Sequence, residues 1–301
     1  MDTFMLDRKI QLFISTVEEG SFSAAASLFQ ISQSAVSQQI RLLESELDVL
    51  LFDRNGYRPV LTKVGQCFYK HCKVIYEACI EAERQVRLLA TENQDCRLRL
   101  GVTGPMEEHD LPKIAEIFKK QAPKVMLDIK KITFGNGYKG LKEGILDVAF
   151  GIANDFKDKD GIRTVVLMKH RICVVCSLQH PWAKKSMIQA SELADQDIIS
   201  LSKNVGSQFY LDFLKAFEKD GIVPHIIKEV DSLEEMLLAV RLNQGIALTS
   251  REVITPDKTI CMLDVAKTHH HAEFCLAYRK GNQNPCLPLF IDEVISYYKK
   301  P

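Results

Sequence analysis

The chain has 301 residues, 46% of them hydrophobic, and carries 39 basic and 39 acidic side chains. This length predicts two or three globular domains, and the balanced charge excludes a general attraction to nucleic acid or membrane surfaces. No run of 18 apolar residues is present, so we expect no transmembrane helix. The lack of a secretory apolar segment near the N-terminus argues against export, and nine scattered cysteines indicate free thiols. We therefore expect a cytoplasmic protein.

The first 50 residues carry the pattern of three short helices. The first is predicted by apolar spacing, and Gly20 can end it in a left-handed conformation; the spaced residues are Leu6, Ile10, Phe13 and Val17. Two further helices meet at a tight turn over residues 30–32, and Ser32 can cap the second. The apolar stripe of that helix consists of Val36, Ile40, Leu43 and Leu47. The opposite, polar face consists of Ser34, Ser37, Gln38, Arg41 and Ser45. Such a helix can bury one side and lay the other in a major groove of DNA.

A hairpin signal follows these helices. Residues 51–54 and 59–61 predict two short strands, and Asn55-Gly56 between them is a strong turn signal. A β-hairpin after a helix-turn-helix is a wing, and Arg54 and Arg58 would lie on it. Residues 1–62 are therefore predicted to form a winged helix-turn-helix domain.

The order of these motifs resembles the N-terminal domain of LysR-type transcriptional regulators. The matching residues are Gly20-Ser21-Phe22, Ala24-Ala25-Ala26, Ser32-Gln33, Val36-Ser37 with Ile40, Leu43-Glu44, Leu51-Phe52 with Arg54, and Leu61-Thr62. The chain departs from the family pattern at Gln38, where a basic residue is usual, and at Asp48, where Gly is usual. The resemblance implies double-stranded DNA as a partner, a homodimer or homotetramer, and RNA polymerase as a further partner.

Bulk charge cannot be the basis of DNA binding by this domain. Residues 1–62 contain five basic and eight acidic side chains, so binding must depend on helix N-termini, hydroxyls and a few arginines. The predicted DNA-binding residues are Ser32, Gln33, Ser34, Ser37, Gln38, Arg41, Arg54 and Arg58.

A long helix is predicted from Thr62, its capping residue, to about residue 92. Its apolar residues recur at alternating spacings of four and three, as in a coiled coil; they are Phe68, Cys72, Ile75, Cys79, Ala82, Val86 and Leu89. Such a helix can pack on its own domain or on a second chain. The resemblance favours the second alternative, because LysR-type regulators dimerise through this helix, paired antiparallel. The predicted dimerisation residues are Phe68, Cys72, Ile75, Cys79 and Val86, and Cys72 and Cys79 could be oxidised across the dimer or simply fill the interface as small hydrophobic residues.

Strands and helices alternate after residue 96, which predicts α/β lobes with mainly parallel sheets. We expect lobe I to contain residues 93–164 and 266–301 and lobe II residues 165–265, with a single strand over Val165–Cys176. This half resembles the periplasmic-binding-protein-like effector domain of the same family. The matching residues are Leu100-Gly101 with Thr103, Gly135-Asn136, Leu146-Asp147, His180-Pro181 with Ala183, Gly206-Ser207 and Gly245-Ile246-Ala247. The predicted fold class is thus α/β: a winged helix-turn-helix, a linker helix over residues 63–92 and a two-lobed effector domain.

Catalytic and metal-binding motifs are missing from the sequence. Cys173 and Cys176 lie three apart on a predicted strand and point to opposite faces, so they could not share a metal. His269-His270-His271 is predicted to be a polar surface run. No phosphate-binding glycine loop or nucleophile elbow follows a strand. We expect no enzymatic activity, no metal and no cofactor other than a small-molecule effector.

Effector-binding residues are expected beyond the carboxyl ends of strands, where loops and helix N-termini converge. The predicted set is Thr103, Gly104, Phe134, Asn136, Ser202, Ser207 and Thr249. Hydroxyls and amides at a helix N-terminus suit a small anion or carboxylate, although Thr103 and Ser207 could instead only cap helices.

The sequence thus predicts a bacterial, ligand-responsive transcriptional regulator that binds a dyad operator. The alternative is a constitutive or architectural DNA-binding protein whose second half serves only oligomerisation.

Overall fold

The computed structural model describes residues 5–29, 31–53, 59–91, 96–255 and 258–299. The chain forms two compact units, residues 1–89 and 90–301. Within the described ranges, no helix is both long enough and apolar enough to cross a membrane.

The first unit contains three short helices, a hairpin and a long helix. Their bounds are α1 Arg8–Glu18, α2 Phe22–Phe29, α3 Gln33–Leu47, β1 Phe52–Asp53, β2 Val60–Leu61 and α4 Lys63–Thr91. β1 and β2 pair antiparallel, with Phe52 opposite Leu61. These are the two strands of the predicted wing, whereas Arg54 and Arg58 lie outside the described residues.

Local capping chemistry sets the ends of these helices. The Ser32 hydroxyl accepts from the Ala35 N–H at 3.1 Å and starts α3. The Thr62 hydroxyl accepts from the Gly65 N–H at 2.9 Å and starts α4. Gly20, just past the end of α1, has a φ of +66°. All three positions agree with the predictions. The two hydroxyls accept from backbone N–H groups that a helix leaves free, and Gly20 adopts a positive φ that costs glycine nothing.

The core of the first unit is a cluster around two fully buried aromatic rings. Phe13 of α1 and Phe52 of β1 meet edge to face, with their ring centroids 5.5 Å apart. Val36, Ile40 and Leu43 of α3 join the same cluster. Leu47, predicted to continue this stripe, is instead 40% exposed. It is the last residue of α3, where the helix has already run past the core.

Helix α4 packs on its own domain at its start, which corrects part of the predicted dimer seam. Phe68 packs against Phe13, at 5.3 Å between ring centroids, and Cys72 is buried in the same core. Cys72 is therefore covered within one chain, whereas Phe68 is half-buried. Further along α4 the predicted seam is open, because Ile75 is 52% exposed and Val86 68% exposed, and Cys79 is half-buried.

The second unit alternates strands and helices. Its elements are β3 Cys96–Val102, α5 Pro105–Gln121, β4 Val125–Lys131, α6 Asn136–Lys142, β5 Val148–Ile152, α7 Ala153–Phe156, β6 Ile162–His170, β7 Ile172–Ser177, β8 Met187–Gln189, β9 Asp197–Leu201, α8 Ser207–Lys219, β10 His225–Val230, α9 Leu233–Arg241, β11 Ala247–Ser250, β12 Ile260–Ala266, β13 Ala272–Arg279 and α10 Leu287–Lys299. Short 3-10 turns cover Pro181–Lys184, Ala190–Asp195 and Arg251–Val253.

Lobe I contains a five-stranded sheet with the order β4-β3-β5-β13-β6. β4, β3 and β5 are parallel, and β13 returns antiparallel between β5 and β6. Since parallel strands end on the same edge of a sheet, the loops after β3, β4 and β5 converge there. Residues of these loops line one side of the cavity described below.

Lobe II contains the four-stranded sheet β11-β7-β12-β8 and the parallel pair β10-β9. Ile246, which precedes β11, forms a parallel bridge with Ile198 of β9, and this bridge joins the two groups of strands. Cys173 and Cys176 of β7 face different clusters on the two sides of this sheet, in agreement with the prediction that they point apart. Cys176 instead faces Cys261 of β12, with 3.2 Å between the two Sγ atoms.

The chain crosses between the lobes at two places. The strand predicted over Val165–Cys176 is two strands: β6 belongs to lobe I, β7 belongs to lobe II, and Arg171 lies between them. This corrects the expected boundary at residue 165, which falls inside β6. The return runs through residues 267–271, between β12 and β13. β6 and β7 belong to different sheets but carry the same hydrophobic pattern, so the sequence did not reveal the break between them.

Candidate DNA-binding face and effector cavity

The polar face of α3 is open to solvent in the first unit. Ser32, Gln33, Ser34, Gln38 and Arg41 are exposed, and Ser37 is half-buried. The hydroxyls of Ser32 and Ser34 lie 2.8 Å apart at the start of the helix. These six predicted DNA-binding residues therefore share one accessible surface that begins at a helix N-terminus, where backbone N–H groups and the helix dipole favour an anion such as a phosphate.

Glu44 is a positioning residue that the sequence reasoning missed. It lies on α3, is 5% exposed, and its Oε1 atom accepts from the N–H groups of Leu51 and Phe52 at 2.9 and 3.1 Å. The carboxylate thus fixes the start of the wing to the helix that carries the polar face. A glutamate beside Leu43 on the buried side of the stripe was the available signal, since a buried carboxylate requires donors.

A cavity of about 660 Å³ lies between the two lobes of the second unit. Its walls are mainly apolar and aromatic, including Phe134, Ile152, Phe209, Phe213, Leu248 and Phe274. This volume and composition are typical of sites for small organic molecules.

Contacts between the lobes close this cavity along one side. Phe134 of lobe I stacks on Phe209 of α8, with 5.2 Å between the ring centroids. Asn154 of α7 donates to Asp212 of α8 at 2.8 Å. A ligand in the cavity would therefore touch elements of both lobes and could change the balance of these contacts.

Five of the seven predicted effector residues line the cavity: Thr103, Gly104, Phe134, Asn136 and Thr249. Ser202 and Ser207 are not part of its wall. The buried Ser202 hydroxyl donates to Asp231 and accepts from the Asn204 N–H, so its hydrogen bonds are made within the loop after β9 and to the loop after β10. Ser207 is the exposed first residue of α8. Both serines were predicted to line the cavity because they follow a strand, but the conformation of the chain after that strand leaves them outside the cavity wall.

The N-terminus of α5 is already filled by a carboxylate of the chain itself. Glu107 Oε1 accepts from the Thr103 N–H at 2.7 Å and from the Thr103 hydroxyl at 2.9 Å, and Oε2 accepts from the Gly104 N–H at 3.3 Å. Glu107 is 4% exposed, and its burial raises the pKa of its carboxyl against the effect of these hydrogen bonds. The amides expected to hold an effector anion are thus occupied, and Thr103 takes part in a cap.

Two histidines missed as site residues line the cavity at the crossings between the lobes. His170 ends β6 and is 8% exposed; its Nδ1 atom lies 2.7 Å from the Ser250 hydroxyl. His270 lies in the return segment, with its ring 4.4 Å from that of Phe217. His270 was predicted to belong to a polar surface run, but its side chain is half-buried against the aromatic rings of Phe213 and Phe217 in α8. His269 and His271 are exposed as predicted, and His269 is held by Asp220.

The Nε2 atoms of both histidines are buried without a hydrogen-bond partner. Within the described residues, the side-chain atoms in this condition are Asp155 Oδ2, His170 Nε2 and His270 Nε2. Burial lowers the pKa of His170 and lowers that of His270 to about 4, so both rings are neutral at neutral pH. In the same part of the chain, no group of three or more His, Cys, Asp or Glu side chains is placed to hold a metal ion.

Comparison with known proteins agrees with this architecture. Residues 8–66 match the model of the bacterial regulatory helix-turn-helix proteins of the LysR family, and residues 92–298 match that of the LysR substrate-binding domain. The chain belongs to the LysR family of transcriptional regulators: it is a DNA-binding regulator with an effector-binding domain.

Individual relatives are similar over nearly their whole length. The HTH-type transcriptional regulator AlsR of Bacillus subtilis (strain 168) is 27% identical over 291 residues, which cover 94% of this chain and 93% of AlsR. The fold is that of full-length CbnR in complex with its target DNA (TM-score 0.60, 21% identity, 96% of this chain and 99% of CbnR). The effector-binding domain of QuiR in complex with shikimate has a TM-score of 0.62 at 21% identity and covers 68% of this chain and 98% of that domain.

Proposed function

We propose that this protein binds a dyad operator through α3 and the wing of two subunits and changes its DNA binding when a small molecule enters the cavity between its lobes. The observation that carries the proposal is the presence, in one chain, of an open polar recognition helix and an apolar cavity of about 660 Å³ that both lobes line.

The DNA contacts are assigned to residues of the polar face. Gln33, Ser34, Ser37 and Gln38 reach base edges and phosphates, Ser32 and Arg41 contact the backbone, and Arg54 and Arg58 contact it from the wing. Gln38 is the candidate for reading sequence, because a glutamine side chain can pair with adenine through two hydrogen bonds. CbnR, whose fold this chain shares, is bound to its target DNA, which supports this use of the fold.

Dimerisation is assigned to the open part of α4, from Ile75 onward. A stripe of exposed apolar residues on a 29-residue helix is costly in water and is typical of a coiled-coil contact. Cys72 takes no part in this contact, because its own domain buries it.

The effector is assigned to the cavity, where Phe134, Asn136 and Thr249 contribute to the wall. The domain of QuiR, which has the same fold, binds shikimate, which supports a small-molecule role for this domain. No observation supports the alternative of a purely architectural second half.

Mapping of the DNA bound by the protein in its own genome tests the proposal. We expect discrete sites with dyad symmetry for the wild type and a relaxed sequence preference for Gln38→Ala. A matched control is Gln39→Ala, one residue further along α3 and half-buried rather than exposed. Uniform binding along the genome, or an unchanged preference for Gln38→Ala, would contradict the assignment of α3.

A further inference from the structure

Two cysteines meet across neighbouring strands of lobe II. Cys176 of β7 and Cys261 of β12 lie directly opposite each other in the antiparallel register, and their Sγ atoms are 3.2 Å apart. Both side chains are free thiols. Neither residue belongs to the wall of the effector cavity or to α3. The pair therefore lies outside the sites to which the proposed function assigns the effector and DNA.

The backbone at this pair has the spacing that a disulfide bond needs. The Leu178 N–H donates to the Thr259 carbonyl at 3.3 Å, so these two residues form a hydrogen-bonded pair of the ladder. Hydrogen-bonded and non-hydrogen-bonded pairs alternate along antiparallel strands, which makes Cys176 and Cys261, two residues further along, a hydrogen-bonded pair as well. The Cα atoms of such a pair are about 5.5 Å apart, within the range of about 4.4–6.8 Å found across disulfide bonds.

The two thiols differ in their exposure to solvent. Cys176 is fully buried, and burial together with the hydrogen bond to Cys261 raises the pKa of its thiol to about 12. Cys261 is half-buried, and it lies before the part of β12 that pairs with β8, residues 264–266. A small reagent that arrives from solvent therefore meets Cys261 before it meets Cys176.

We propose that Cys176 and Cys261 are a redox-active pair, which hydrogen peroxide converts to an intramolecular disulfide and a dithiol reductant restores. The Cys261 Sγ atom attacks one peroxide oxygen, the O–O bond breaks, and a sulfenic acid forms while the other oxygen leaves as water with the thiol proton. The Cys176 Sγ atom then attacks the sulfenic sulfur, the S–O bond breaks, and the hydroxyl leaves as a second water with the proton of the Cys176 thiol. Two thiols are oxidised to one disulfide, and the peroxide is reduced to two waters.

The contact between the thiols, rather than burial or exposure alone, determines this product. Cys173 lies on the same strand as Cys176 but packs in the cluster on the opposite side of the sheet. Cys67 is exposed on α4, where peroxide produces sulfur acids or bonds between chains. A disulfide within one chain, between β7 and β12, is specific to the pair in contact.

Peroxide treatment of the folded, full-length chain tests the proposal. After removal of the peroxide, free thiols are alkylated with iodoacetamide in denaturant, and peptide mass spectrometry without reduction locates the disulfides. We expect a linked pair of peptides that contain Cys176 and Cys261, obtained from the monomer band of a non-reducing gel, and we expect dithiothreitol to abolish it. Both cysteines still alkylated, or Cys261 converted to sulfinic or sulfonic acid without a linked pair, would overturn the proposal.

Substitution of single cysteines tests the order of the two steps. In Cys261→Ser we expect Cys176 to remain a thiol, because its first-reacting partner is absent and its own side chain is buried. Cys173→Ser is the matched control, since it changes a buried thiol of the same strand on the other face, and the bond should form in it at the wild-type rate. Oxidation of Cys176 in Cys261→Ser at the wild-type rate, or loss of the bond in a folded Cys173→Ser chain, would overturn the proposal. The wild-type experiment does not depend on the folding of either variant.

Discussion

At the scale of single residues, buried carboxylates organise both units. Glu44 satisfies two backbone donors at the start of the wing, and Glu107 satisfies the start of α5. Neither role could be obtained from the sequence, because each depends on a tertiary partner or on the exact path of a loop. In contrast, Ser32, Thr62 and Gly20 were predictable, because capping and left-handed glycine depend on residues within one turn of the chain.

We predict that Glu44→Ala destabilises the first unit by about 2–3 kcal/mol, because it leaves two buried N–H groups without an acceptor. DNA binding should weaken as the wing loses its anchor. Glu44→Gln keeps one acceptor oxygen and should cost less than half as much. Urea denaturation of the three chains gives the free energies of unfolding. A Glu44→Ala chain as stable as the wild type would show that the wing does not depend on this carboxylate.

Asp48 lies in a conformation that does not suit its side chain. Its φ is +53°, directly after the C-terminus of α3. Most side chains with a Cβ cost roughly 1–2 kcal/mol in the left-handed region, and Asp less than most, while a carboxylate at a helix C-terminus is disfavoured by the dipole. We predict that Asp48→Gly stabilises the chain by about 1 kcal/mol or less, after the added entropy of the unfolded chain is subtracted. A lower melting temperature for Asp48→Gly than for wild type would show that the aspartate is not strained at this position.

Asp155 provides a pH-dependent test of burial. Burial and the nearby charge of Asp212 raise the pKa of its carboxyl from 3.8 to about 7, partly offset by Lys159. The folded state therefore holds a proton that the unfolded chain releases, so this group lowers stability as pH rises from about 4 to 7. The slope is about 1.4 kcal/mol per pH unit at most.

Asp155→Asn should remove this pH dependence. We predict that it raises the melting temperature more at pH 8 than at pH 5, whereas Asp160→Asn, at an exposed position, changes neither. An equal shift at both pH values would indicate that Asp155 is ionised in the folded chain throughout this range.

At the scale of elements, α4 shows how one hydrophobic pattern serves two purposes. Its seven-residue repeat continues from Phe68 to Leu89, yet Phe68 and Cys72 pack on their own domain, whereas Ile75, Val86 and Leu89 are exposed. Periodicity specifies the apolar face of a helix but not what covers it. The sequence therefore could not separate the residues of α4 that pack on their own domain from those that stay exposed. The break between β6 and β7 was missed for a related reason, because both strands are apolar and only their sheets differ.

We predict that Ile75→Glu converts the protein to a monomer, because it places a charge in the apolar face through which two copies of α4 are proposed to pair. Val74→Glu is the control, since Val74 is also exposed, at 66%, but lies off the stripe. Sedimentation of the two chains at equal concentration measures the difference. Dimers of Ile75→Glu, or monomers of both variants, would contradict the assignment of this face.

At the scale of the whole molecule, the cavity joins residues that are far apart in sequence. The effector residues were predicted from their positions after strands, and five of the seven line the cavity. The histidines at the crossings could not be found this way, because they follow no strand of the predicted sheet edge and enter the cavity only when the chain changes lobes. Occupation of this cavity is proposed to change DNA binding.

The most direct measurement is nuclease protection of a mapped operator by the wild type and by Val205→Trp. Val205 lines the cavity from the loop before α8, so a tryptophan there reduces the space open to a ligand. Small molecules extracted from cells that express the gene next to the mapped operator should change the wild-type protection pattern and leave that of Val205→Trp unchanged. An extract that changes neither pattern, or that changes the pattern of Val205→Trp as it does that of the wild type, would contradict regulation through this cavity.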